Sequence, residues 1–336
     1  MRRSTKAALA VVLVGAAMAG ITTVPRGEEP DPPVAVEDPV PALAVRSSTR
    51  GLVALGGGPE APGAGGTPHD PGGQAAAAER LGELLPASAG TAAAPGASTE
   101  SVLGVDDRRW LRSRTTTFPN SAIGRLDFRQ AGRSYWCTGT LIDADTVLTA
   151  GHCVHDGLDG EDGWSTRVRF VPGAEGNRAP FGSCEPTELL TMPLWYAEGR
   201  EYQDLGLVQL DCRIGEVVGW FGYRAVNGRT TMRNVSVMLR GYPGDKVWSS
   251  LWNDSDRIRV SQARMLFYAA DTYGGQSGSP VFNVRRCNGV RGACILGVHA
   301  YGVHGAGPHG RFNHGPRLDP ARLAIVAAVA AAPGVG

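Results

Sequence analysis

Beyond residue 100 the chain sets short apolar runs against turn formers. Stretches such as Leu148 in LTAGHC, Asp204 to Leu210 (DLGLVQL) and Pro280 to Phe282 (PVF) are cut off by Gly, Asn or Asp after a few residues. Runs of that length bounded by such residues predict strands, and their number predicts an all-β domain over residues 101–336. The length suits a sizeable core, built as two packed small barrels over 101–213 and 214–317 or as one large sandwich, which composition does not separate. The last segment differs in kind. Asp319 followed by Pro320 reads as an N-cap with proline at the first helical position, and LAIVAAVAAA continues to Pro333. A short C-terminal helix over about 319–332 follows.

The pattern before residue 100 does not support a core. Arg2, Arg3 and Lys6 precede an apolar run from Ala7 to Ala19, with Ala17-Met18-Ala19 as a small-x-small cleavage site. This is the layout of a secretory signal peptide over 1–19, and the run falls short of the ~20 residues a membrane-spanning helix needs. Residues 20–100 are dominated by Ala, Gly, Pro and Ser. Such a segment buries too little apolar surface to offset chain entropy, so a mostly unfolded pro-segment is expected. Within it, Ala75 to Leu85 (AAAAERLGELL) is a nascent helix in a linker, weakened by Gly82.

Charge adds little. Formal net charge is +1, so no strong field draws the chain to nucleic acid or an anionic membrane surface. All six cysteines (Cys137, Cys153, Cys184, Cys212, Cys287, Cys294) lie in the domain. An even number downstream of an export signal implies disulfides and a secreted, extracellular protein, with the connectivity open. No CxxC pair points to zinc. The acidic loop Asp156 to Gly163 does not fit an EF-hand and reads as a solvated loop. His299, His304, His309 and His314 recur at every fifth position, but the glycines between them leave no helix to align the rings. No metal or other cofactor is therefore expected.

The chemistry centres on Asp271 to Phe282, DTYGGQSGSPVF, where Ser277 lies among glycines that let backbone N–H groups turn inward. Alone, such a loop is only a turn. A serine hydroxyl becomes nucleophilic with a general base in reach and a carboxylate to orient that base. His152 in LTAGHC and Asp204 opening DLGLVQL supply them, with Asp211 as the alternative acid. The order His, Asp, Ser differs from that of α/β-hydrolases, whose nucleophile elbow would also want glycine at Ser279.

That order and all three motifs resemble the chymotrypsin-like β-barrel peptidases. A narrower likeness, to the secreted bacterial glutamyl endopeptidases, runs from SVLGVDDR at Ser101 through TAGHC, DTYGGQSGSPVF and GVHAYGVHG to the final helix. It implies two packed six-stranded antiparallel barrels and a serine endopeptidase cutting after Glu, or more slowly Asp. It implies His152, Asp204 and Ser277 as the catalytic set, with the N–H groups of Gly275 and Ser277 as oxyanion hole. Thr272 and His299 would line the side-chain pocket, and Ala300, Tyr301 and Gly302 would pair with substrate backbone. With the resemblance goes a sequential disulfide pairing: Cys137 with Cys153, Cys184 with Cys212, Cys287 with Cys294. Processing between Glu100 and Ser101 would suit an enzyme that cuts after Glu, so its expected partners are polypeptide substrates and its own pro-segment, and a monomer is expected. The sequence departs from animal-type members at Gln276, where they carry Asp. The rival functions are a related endopeptidase of other specificity, suggested by Asp271 near the pocket, and a catalytically silent binding module on the same fold.

Overall fold

The computed structural model describes residues 44–47, 65–71, 100–225 and 231–331. The expected signal peptide, the Ala75 to Leu85 patch and most of the expected pro-segment lie outside the described residues. In chain order the strands are β1 (Ala44–Ser47), β2 (Glu100–Ser101), β3 (Arg109–Trp110), β4 (Ile123–Gln130), β5 (Arg133–Leu141), β6 (Thr146–Thr149), β7 (Thr166–Pro172), β8 (Pro186–Thr191) and β9 (Gly206–Leu210). The rest are β10 (Gly222–Tyr223), β11 (Ser236–Gly241), β12 (Trp252–Ser261), β13 (Met265–Tyr268), β14 (Thr272–Tyr273), β15 (Pro280–Cys287), β16 (Val290–Val298) and β17 (Asn313–Pro316).

These form two curled sheets. The first runs β1-β8-β9-β6-β5-β4-β7, and the second runs β10-β16-β15-β11-β12-β13-β17 with β3 added beside β12. Without β1, which comes from the N-terminal segment, the first sheet is six antiparallel strands. The stretch from β16 to β17 is the same in the second, with β10 joining in parallel at its edge. Bridges between Phe170 and Cys184 and between Gly297 and Arg317 bring the ends of each sheet back on themselves. The segment from 100 that precedes the first sheet in sequence pairs with later strands, through β3 on β12 of the second sheet and through β2 on β14 in a separate two-stranded sheet.

The cores follow from the strand pattern. β11 alternates exposed and buried positions, with Val237 and Leu239 inward beside Ile258, Leu266, Tyr268, Val281 and Leu296 of the second sheet. β6 and β9 are buried throughout, as central strands covered on both faces are. Disulfides join Cys137 to Cys153, Cys184 to Cys212 and Cys287 to Cys294.

Helices are few: α1 (Pro193–Glu198), α2 (Gly215–Val218) and α3 (Pro320–Ala330). Among the described residues no helix is long and apolar enough to cross a membrane. Asp319 caps α3 by accepting the N–H of Arg322 at 2.9 Å, and its other oxygen binds the Arg322 guanidinium. That guanidinium is buried and also donates to the carbonyl of Tyr202, which ties the helix to the turn ahead of Asp204. Removing Asp319 strands a buried charge as well as a cap. Asp319→Ala should lower stability in urea unfolding by about 3 kcal/mol, while Asp319→Asn, which keeps an acceptor for the Arg322 N–H, should lose less.

Candidate active site

The three residues expected to react, His152, Asp204 and Ser277, sit on separate elements. His152 lies in a 3₁₀ turn, Gly151–Cys153, directly after β6, and Cys153 ties that turn back to β5 through Cys137. Asp204 ends another 3₁₀ turn just before β9, which pairs with β6. Strand pairing therefore delivers both groups to one place. The Asp204 carboxylate accepts the His152 backbone N–H and its ring Nδ1–H, each at 2.7 Å. Both residues are essentially without solvent contact. With Nδ1 committed, Nε2 is the nitrogen left bare, and it is buried with no hydrogen-bond partner. Asp211, the alternative acid, is exposed and accepts the N–H of Glu185, so it serves a turn elsewhere.

Ser277 approaches from the second sheet. Its loop is pinned to β5 by Thr138, whose N–H donates to the Ser277 carbonyl at 2.8 Å and whose hydroxyl donates to the Gly275 carbonyl at 3.0 Å. The same hydroxyl accepts the Tyr242 N–H. Two glycines allow this closeness. Gly275 has φ of +97°, and a Cβ there would lie 2.4 Å from Trp136 Nε1; at Gly278, with φ of +86°, it would lie 2.0 Å from the Thr138 carbonyl oxygen. Among the described residues the N–H groups of Gly275 and Ser277 have no hydrogen-bond partner, whereas those of Gln276, Gly278 and Ser279 are all bonded. Ser277 Oγ does not bond to His152 Nε2 in this arrangement, as is common before substrate binds.

The pocket residues are equally buried. Thr272 is fully enclosed and its hydroxyl has no partner. His299 Nδ1 meets the Tyr268 hydroxyl at 2.9 Å. Burial lowers the His299 pKa to about 3, with smaller contributions from His314 and His152, and burial raises Tyr268 far above its ordinary value. Both groups are therefore neutral, and when the phenol donates to Nδ1 the ring carries its proton on Nε2. The N–H groups of Ala300 and Tyr301 both donate to the His314 carbonyl, at 3.2 and 3.0 Å, and the Tyr301 carbonyl accepts the His314 N–H at 2.9 Å. β2 pairs antiparallel with β14, with Ser101 opposite Thr272 and Glu100 opposite Tyr273.

Two features had no local signature in the sequence. Asp271 is turned away from the pocket side of β14, accepting the N–H of Leu103 at 2.7 Å and of Asp107 at 3.2 Å. Gln276 is fully buried, and its side-chain oxygen accepts from the Tyr273 N–H and from Arg108. The Arg108 guanidinium, itself without exposure, is held by Asp106 and Asp245. Burial opposes its charge, but these carboxylates outweigh it and keep its pKa above the ordinary value.

The two curled sheets with an enclosed imidazole–carboxylate pair between them define a chymotrypsin-like fold. Residues 137–288 match the trypsin-like peptidase domain family. The chain is 38% identical over 204 residues to the glutamyl endopeptidase of Bacillus licheniformis, covering 60% of this chain and 61% of that protein. It is 36% identical over 184 residues to an extracellular metalloprotease of Bacillus subtilis, covering 54% of this chain and 57% of that protein. Both matches thus span less than two thirds of the relatives' length. A solved Glu endopeptidase structure superposes with a TM-score of 0.58 at 27% identity, covering 69% of this chain and all of that one. The protease Anisep from Arthrobacter nicotinovorans, at 24% identity and TM-score 0.51, covers 63% of this chain and 96% of its own and shares the fold.

Since His299 is held neutral when folded but gains a proton near pH 6.5 when unfolded, stability should fall as pH drops from about 6.5 towards 3. His299→Gln should flatten part of that slope in denaturant titrations run across the range.

Proposed function

We propose that the protein is a secreted serine endopeptidase that cuts peptide bonds after Glu. The observation that carries this is the orientation of His152. Asp204 takes Nδ1, and the bare Nε2 lies where the Ser277 loop meets β6. In the reaction His152 Nε2 takes the Ser277 proton as Oγ attacks the scissile carbonyl, and Asp204 stabilises the imidazolium. The N–H groups of Gly275 and Ser277 receive the oxyanion, each worth about 3 kcal/mol. Protonated His152 then releases the amine half, and water, deprotonated by the same imidazole, frees the carboxyl half.

Specificity for a carboxylate side chain follows from donors. An ionised Glu entering a pocket must recover its lost hydration through charge-assisted hydrogen bonds. The Thr272 hydroxyl is unpartnered, and with Tyr268 donating to Nδ1 the His299 ring offers an Nε2 proton to the substrate carboxylate. Asp271, the group that would favour Lys or Arg, is saturated by Leu103 and Asp107. The edge at Ala300 and Gly302 takes substrate backbone as an added strand.

The name of the Bacillus subtilis relative raises metal chemistry at the same site. The group nearest His152 that could hold an ion is Cys137, His152 and Cys153, and there the two cysteines are bonded to each other. They have no thiolates to give, so nucleophilic acyl transfer is the better account.

Glu100 and Ser101 pair with β14 as one strand. This supports the junction as the processing point, after which the new terminal amine would stay beside Thr272, adding positive charge near the pocket. The 1–19 signal peptide, 20–100 pro-segment and 101–336 peptidase division, with export and a monomeric state, belongs to the same proposal.

A fluorophosphonate should label the wild type and leave Ser277→Ala unlabelled. A peptide-library digest should show cleavage after Glu, with kcat/KM falling on His299→Gln more than labelling rate does. Cleavage after Lys, Leu or Phe would overturn the specificity, and an unlabelled wild type would favour a silent binding module.

A further inference from the structure

The histidines spaced at every fifth residue are brought together by a loop. His304, His309 and His314 form a cluster with ring centroids 4.6 to 5.7 Å apart. Glu201, from the turn ahead of Asp204, reaches into it. One ring nitrogen each of His304 and His314 and one carboxylate oxygen of Glu201 lie within 4.8 Å of one another. The proton positions decide what this cluster presents. His304 Nδ1 bonds the Gly302 carbonyl at 3.1 Å, and His314 Nδ1 bonds the Phe312 carbonyl at 3.0 Å. A carbonyl only accepts, so both rings carry a proton on Nδ1, and a ring in its neutral form then presents a lone pair at Nε2.

Those lone pairs face a problem. His304 Nε2 lies 2.8 Å from Glu201 Oε1, a contact that a neutral, Nδ1-protonated ring leaves as acceptor against acceptor. His314 is fully buried and its Nε2 has no partner, an arrangement that is costly when nothing answers it. A proton on His304 would resolve the first contact and leave the second. A single cation among the three would answer both. Backbone carbonyls fixing the tautomer of ligating imidazoles are also what metal sites use to aim them.

We propose that Glu201, His304 and His314 form a binding site for a divalent transition-metal ion of the zinc class. His309 Nε2, 3.7 Å from the second oxygen of Glu201, is the nearest candidate for a fourth ligand. Two or three imidazoles with one carboxylate suit Zn²⁺ rather than Ca²⁺ or Mg²⁺, which prefer oxygen. Glu201, His304 and His309 are each about one-third exposed, so an ion has a way in. The ion would fasten the turn carrying Asp204 to the loop carrying Tyr301, whose ring lies over both His304 and His314. Its role is to brace that cleft, apart from the acyl chemistry at Ser277.

The test uses the full chain, stripped with chelator and titrated with Zn²⁺ and with Co²⁺, reading stoichiometry by calorimetry and coordination by the visible Co²⁺ spectrum. One equivalent should bind, with a tetrahedral-type spectrum and a rise in Tm. His304→Ala and Glu201→Gln, both at partly exposed positions, should each weaken binding by about tenfold or more while metal-free Tm stays near that of the wild type. If one variant misfolds, the other carries the comparison. Absence of saturable binding near one equivalent, or equal affinity in the wild type and the folded variant, would overturn the site. Fluorophosphonate labelling of metal-free protein is scored separately, so failure here leaves the peptidase proposal standing.

Discussion

A single enclosed carboxylate sets the terms for this structure. Asp204 has no solvent contact, and a buried charge is tolerated only when its oxygens are matched by donors. Both donors come from His152, one from backbone and one from ring. The backbone bond needs the tight turn at Gly151, where a Cβ would stand 2.8 Å from the carboxylate. The turn in turn needs β6 to end where it does and Cys153 to reach β5. Sheet register, disulfide and ring tautomer are thus consequences of one desolvated acid.

The second sheet meets this arrangement through an apolar cluster common to both sheets and through hydrogen bonds, three of them made by one residue. Thr138 uses its N–H, its hydroxyl proton and its hydroxyl oxygen on three different partners across the barrel boundary. The separation between the Ser277 loop and β5 is therefore held by hydrogen-bond lengths in addition to apolar packing.

What the sequence revealed was what is local. LTAGHC, DLGLVQL and DTYGGQSGSPVF each hold their reacting residue beside an apolar run and small neighbours, so strand, turn and chemistry read together. The N-cap at Asp319 was legible for the same reason. Contacts between distant positions were not. Arg108 stands within SVLGVDDR, but its partner Asp245 is 137 positions away and carries no motif of its own. The every-fifth histidines suggested no geometry because helical spacing was the only local device able to align them; β17, through its bridge at Tyr301 and His314, does it instead. Asp271 looked like a specificity residue until the Leu103 to Asp107 turn was seen to occupy both its oxygens.

The bracing of Gln276 by Arg108 has a bearing on maturation. Here the stabilising cation belongs to a side chain that lies beyond the Glu100–Ser101 junction and is anchored to Asp106 and Asp245 whether or not the junction is intact. The contacts that brace Gln276 consequently need no free amine at Ser101.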